Sequence, residues 1–77
     1  SMVHLLSRCY MQAIRLKPRS SLYWSCLAQA VYLQARYQSD DQLLLKQALD
    51  YMKVALSLKP KDPLLWNALG VIATHPS

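Results

Sequence analysis

The side chains able to do chemistry in this chain are few and scattered. Its acidic side chains are Asp40, Asp41, Asp50 and Asp62, with no glutamate; its histidines are His4 and His75, and its cysteines Cys9 and Cys26. Bond-breaking chemistry needs a nucleophile, a base and a charge-stabilising group that converge on one point. The aspartates fall instead where helix caps or a solvated face are expected. No glycine-rich phosphate loop, paired histidine or HExxH spacing is present. Catalysis is therefore not expected. His4 and His75 stand at opposite ends of the sequence, so a shared metal site is not expected either, and no cofactor is implied. Cys9 and Cys26 are 17 residues apart. A disulfide or metal centre would call for closer spacing or more Cys and His partners. Both are read as small buried hydrophobes in a reducing compartment.

Binding chemistry is better supplied. The formal net charge is +5, and Lys17, Arg19, Lys59 and Lys61 flank two prolines, Pro18 and Pro60. A cation beside a helix C-terminus is favourable by about 0.3–1 kcal/mol, which explains their placement without a ligand. The same four residues are candidate contacts to phosphate or acidic groups, and this keeps RNA as the alternative partner. Trp24 and Trp66 could stack on unpaired bases, but they are expected to pack between helices. The longest uncharged run, residues 20–35, is too short and too polar to span a bilayer. No signal-peptide layout occurs at the start, and residues 1–2 read as a remnant of expression. The expected setting is intracellular, cytoplasmic or nuclear, with no membrane contact.

The elements that would position these residues are written twice. Residues 13–27 read AIRLKPRSSLYWSCL, and residues 55–69 read ALSLKPKDPLLWNAL. Aligned without gaps they are identical at seven of fifteen positions, all at an offset of 42. Self-similarity at that period marks stacked supersecondary units. The bias toward Leu, Ala and Gln, with a single glycine, favours helix.

Four helices are predicted, near 3–17, 21–38, 40–59 and 63–74. In the first, Leu5, Leu6, Cys9, Tyr10, Ala13 and Ile14 recur at three- and four-residue steps, and Pro18 ends it. Ser20 is the expected N-cap of the second. That helix is apolar nearly all round, with a narrow polar line through Ser25, Gln29 and Arg36. Ser39 and Gln42 fit a capping box for the third helix, whose inward face is Leu44, Leu45, Ala48, Met52, Ala55 and Leu56. Asp62 caps the fourth, with Pro63 in its first position.

These residues resemble tetratricopeptide repeats. Trp66–Asn67–Ala68–Leu69–Gly70 matches the opening of that family's pattern, and Trp24 to Ala28 matches it with alanine in place of glycine. Ala48, Met52, Ala55 and Pro60 fit the second half, as do Tyr10, Ala13 and Pro18 of the preceding unit. The family period is 34; here about eight residues are added near Arg36 to Leu43, and Val31 and Ala73 stand where the family usually has tyrosine. The resemblance implies an all-α fold, a right-handed α-solenoid fragment of helix-turn-helix repeats with an elongated hairpin. It divides the chain into the second helix of one repeat (3–18), a complete extended repeat (20–60) and the first helix of another (62–75).

The resemblance also implies a protein–protein interaction scaffold, with a concave groove lined by Leu22, Ser25, Gln29, Tyr32, Leu33, Asn67 and Val71. The Lys and Asn clamp of family members that grip acidic C-terminal peptides is not matched by Ser25, Gln29, Asn67 and Val71. A helix or an extended peptide is the expected ligand. The stretch WNALGVIA and the long hairpin resemble tetratricopeptide scaffolds of cytoplasmic RNA-decay assemblies, which implies partners among the subunits of a larger complex. The fourth helix, rich in Leu64, Leu65, Trp66, Leu69, Val71 and Ile72, lacks a paired second helix, and the first should expose part of its Leu6, Tyr10 and Ala13 face. A homo-oligomer of this segment is expected on that ground.

Overall fold

In the structure, a computed structural model that describes residues 2–38 and 41–75, the chain forms four helices. They are α1 (Met2–Leu16), α2 (Ser21–Tyr37), α3 (Gln42–Leu58) and α4 (Pro63–Ala73). Each lies within two residues of its expected bounds. Helices α2 and α3 are both 17 residues long, so the residues added to the usual period are taken up as extra helix. Sequential helices pack side by side, α1 on α2, α2 on α3 and α3 on α4, and the α2–α3 seam is the most extensive.

The duplicated sequence is also a duplicated set of hydrogen bonds. The amide of Lys17 donates to the Ala13 carbonyl at 3.0 Å, and that of Lys59 donates to Ala55 at 3.1 Å, closing the last turn of α1 and of α3. The next link is Ser20 to Lys17 in one copy and Asp62 to Lys59 in the other, both 3.2 Å. The Ser20 hydroxyl then accepts from the Tyr23 amide, and the Asp62 carboxylate from the Leu64 amide, capping α2 and α4. Finally the Trp24 indole Nε1 donates to the Pro18 carbonyl at 2.8 Å, and that of Trp66 to Pro60 at 2.7 Å. Proline ends each helix, and its carbonyl then holds the tryptophan that opens the next. Replacing Trp24 by phenylalanine keeps most of the ring but removes the donor. The expected loss is about 0.5–1.5 kcal/mol of unfolding free energy by urea denaturation.

The core lies along the seams of α2 with α3 and of α3 with α4. Leu27, Ala28, Ala48, Met52 and Ala55 are essentially inaccessible, and Ile14, Val31, Leu56, Leu65 and Ile72 complete the cluster. Three of the innermost residues are alanines, so the backbones of α2 and α3 approach closely there. The expected inward face of α3 is correct, with Leu44 only half-buried.

Three expectations are overturned. Cys9 is exposed and Cys26 half-buried. Trp66 is 55% exposed, whereas Trp24 is half-buried and packs against the core as expected. Trp24 has the Tyr51 ring of α3 against it at 6.0 Å. The N-cap of α3 is Asp41, whose carboxylate accepts from the amides of Leu43 and Leu44. Gln42 is the first residue of that helix, and Ser39 lies outside the described residues.

Candidate partner-binding groove

The small residues of the α2–α3 seam draw those helices together, while α2 and α4 touch only lightly. Their facing sides leave a groove. Its main hollow, about 490 Å³, is lined by Gln29, Tyr32 and Leu33 from α2 and by Leu64, Asn67, Ala68, Val71 and Ile72 from α4. A second hollow of about 330 Å³ shares Gln29 and Leu64 and runs toward the start of α2, past Leu22, Ser25, Lys59 and Asp62. All seven residues expected to form the groove therefore line one or both hollows. Sequence reasoning missed Leu64, Ala68 and Ile72 as wall residues, although Leu64, Ala68 and Val71 repeat at helical spacing on one side of α4.

The members of the groove are not equivalent. Leu22, Gln29, Leu33, Asn67 and Val71 are exposed, and Tyr32 is half-buried. Ser25 is only 5% exposed, and its hydroxyl donates to the Leu22 carbonyl at 3.0 Å. It is a satisfied residue beneath the floor and corrects the polar line expected along α2. The surface is thus mainly aliphatic, with two carboxamides, Gln29 and Asn67, on opposite walls. Each offers both donors and an acceptor to a ligand.

One end of the groove is tied across. The Tyr32 hydroxyl and His75 Nδ1 are 2.9 Å apart, their rings meet edge to face with centroids 5.3 Å apart, and the Arg36 guanidinium lies over the Tyr32 ring at 5.8 Å. No local sequence signal links Tyr32 to His75. They meet because α4 is shorter than α2, so its end lies level with Val31 and Tyr32 at the 42-residue offset.

Lys17, Arg19, Lys59 and Lys61 are all exposed at the two proline turns, and Lys59 also lines the second hollow. On the opposite seam, Tyr10 of α1 lies beside Cys26 of α2. Electrostatic repulsion from Cys26, the hydrogen bond to its sulfur, partial burial and the nearby Cys9 all hold the Tyr10 phenol above its ordinary value of 10.0. Among the described residues no group of three or more His, Cys, Asp or Glu side chains could hold a metal ion. No described helix is long and apolar enough to cross a membrane.

Helices stacked in series, with a Trp-bearing helix after each proline stop and a seam of alanines, define a tetratricopeptide-type helical repeat, and the chain is a segment of that class. It is similar over 81 aligned positions, 96% of its length, to Superkiller complex protein 3 of Homo sapiens, with 35% identity. The chain spans about 5% of the length of that protein. No protein-family model and no solved structure gives a significant match.

Proposed function

We propose that this chain is an interaction segment of a scaffold, and that the groove between α2 and α4 receives a segment of a protein partner. The observation that carries this reading is the groove itself. It is an aliphatic trough with one carboxamide on each wall. Hydrophobic walls supply affinity, and a few placed polar groups supply orientation. The similarity to a protein named as a member of the superkiller complex supports partners among the subunits of such an assembly, and with them a link to cytoplasmic RNA decay.

The reading is tested by capture of candidate complex subunits on the immobilised chain. Leu33→Glu and Val71→Glu each place a charge on an exposed groove wall and leave the core untouched. Each should weaken capture by at least about tenfold, the equivalent of about 1.4 kcal/mol, with the helical circular dichroism unchanged. The RNA alternative rests on the four exposed cations at the turns. Groove variants that bind as the parent does would reject the groove. So would a salt-sensitive affinity for single-stranded RNA that disappears when Lys17, Arg19, Lys59 and Lys61 are replaced by serine.

A further inference from the structure

The groove between α2 and α4 changes chemistry along its length. The hollow beside the start of α2 shares Gln29 and Leu64 with the main hollow. The main hollow in turn shares Leu33 with a third, of about 290 Å³, lined by Leu33, Arg36 and Tyr37. Along α2 the trough runs from Leu22 to Arg36, fourteen residues on, or about 21 Å of helix. Lys59 stands at the first end and Arg36 at the other, and no charged residue lines the main hollow between them. Asp62 is the one carboxylate lining these hollows, at the Lys59 end, where it accepts from the Leu64 amide at 2.9 Å. Arg19 and Lys61, exposed in the turns before α2 and α4, outweigh it there. Both ends of the trough are therefore positive, and its middle is neutral.

The carboxamides decide between a helix and an extended chain. Gln29 and Asn67 line the main hollow from opposite walls, and among the described residues neither has a hydrogen-bond partner. A helix satisfies its amides internally and would bring them only side chains. An extended chain turns its N–H and C=O groups to both edges, and each carboxamide has the donors and the acceptor to meet them. Its side chains alternate between two faces, so every second one would enter the aliphatic recess around Leu33, Ala68 and Ile72. Nucleic acid fits less well. Tyr32 is the only aromatic residue lining the main hollow, and its ring already meets the Arg36 guanidinium at 5.8 Å and the His75 ring at 5.3 Å. A base could stack there only by displacing one of them.

Taking the groove as the binding surface, we propose that its occupant is an extended segment with a carboxylate side chain at each end and aliphatic side chains at alternate positions between. At about 3.3 Å per residue, the trough holds about six residues. The terminal carboxylates meet Lys59 and Arg36. An acidic residue in the middle is excluded, because the main hollow would strip its water and return no charge. Cations at both ends also mean that the segment needs no free C-terminus.

The test is fluorescence anisotropy of the whole chain with a labelled peptide, Asp-Leu-Ser-Val-Ser-Asp, blocked at both termini, and with its counterpart carrying Asn at each end. The acidic peptide should bind about threefold to tenfold more tightly at low salt, and the gap should close near about 1 M salt. Lys59→Gln and Arg36→Gln should each take about twofold to fivefold from the acidic peptide and nothing from the Asn peptide. Gln29→Ala, Asn67→Ala and N-methylation of the peptide amides should weaken both. Equal binding of the two peptides, tighter binding of a stapled helix bearing the same side chains, or no binding of either peptide would overturn the proposal. Each of those results leaves standing the loss of subunit capture expected in Val71→Glu, so the partner's chemistry can fail while the groove survives. Displacement of the acidic peptide by oligouridylate would overturn the proposal in favour of nucleic acid.

Discussion

Replacing Leu27 or Met52 by alanine should remove a large fraction of this chain's unfolding free energy. These are the largest fully buried side chains, and they sit on the two helices that form the main seam. Truncating a buried Leu or Met to alanine costs about 2–5 kcal/mol, through lost transfer energy and the cavity left behind. At about 0.05–0.15 kcal/mol per residue, a chain of this size has only about 4–11 kcal/mol in total. The cavity is also hard to close. Ala28, Ala48 and Ala55 already hold the neighbouring backbones near contact, so little movement can fill the space. Leu64→Ala is the control, since Leu64 is 76% exposed and its truncation should stay within about 0.5 kcal/mol. Urea titrations followed by circular dichroism would read both. An unchanged midpoint for Met52→Ala would mean that the α2–α3 seam is not where the stability resides.

The features legible in the sequence are those set by local physics or by repetition. Ser20 and Asp62 are caps because a short acceptor before an apolar run has few other uses, and the structure gives both that role. The exposed Lys46, Asp50 and Lys53 follow from helical periodicity alone, and so do the buried Leu45, Ala48 and Met52. The cap of α3 was misread because Ser39 and Asp41 are both good acceptors, and choosing between them depends on where the chain leaves α2. The cysteine and tryptophan expectations failed for a different reason. Periodicity reports which side of a helix is apolar, but the neighbour that covers that side is a tertiary fact. Cys9 and Trp66 are on apolar stripes and are nonetheless exposed in this structure. The groove residues were legible through the family resemblance. The Tyr32–His75 tie was not, because it joins residues 43 positions apart.

Ala28 and Gly70 occupy the same place in the repeated motif, and enlarging them should have opposite effects. Ala28→Leu inserts three carbons into a fully covered position facing α3. Overpacking of a closed seam costs about 1–3 kcal/mol, paid here by spreading α2 from α3. Gly70→Ala adds one carbon where nothing lies within 4 Å. Glycine inside a helix is about 0.8–1.0 kcal/mol less favourable than alanine, and α4 is only 11 residues long. Its full propensity gain should therefore appear as stability. Each kcal/mol moves Tm by about 4–8 °C in a domain of this size. The Ala28 variant should melt several degrees below the parent, and the Gly70 variant about as far above it. A Gly70→Ala variant no more stable than the parent would show that the α4 stripe is already covered within the chain.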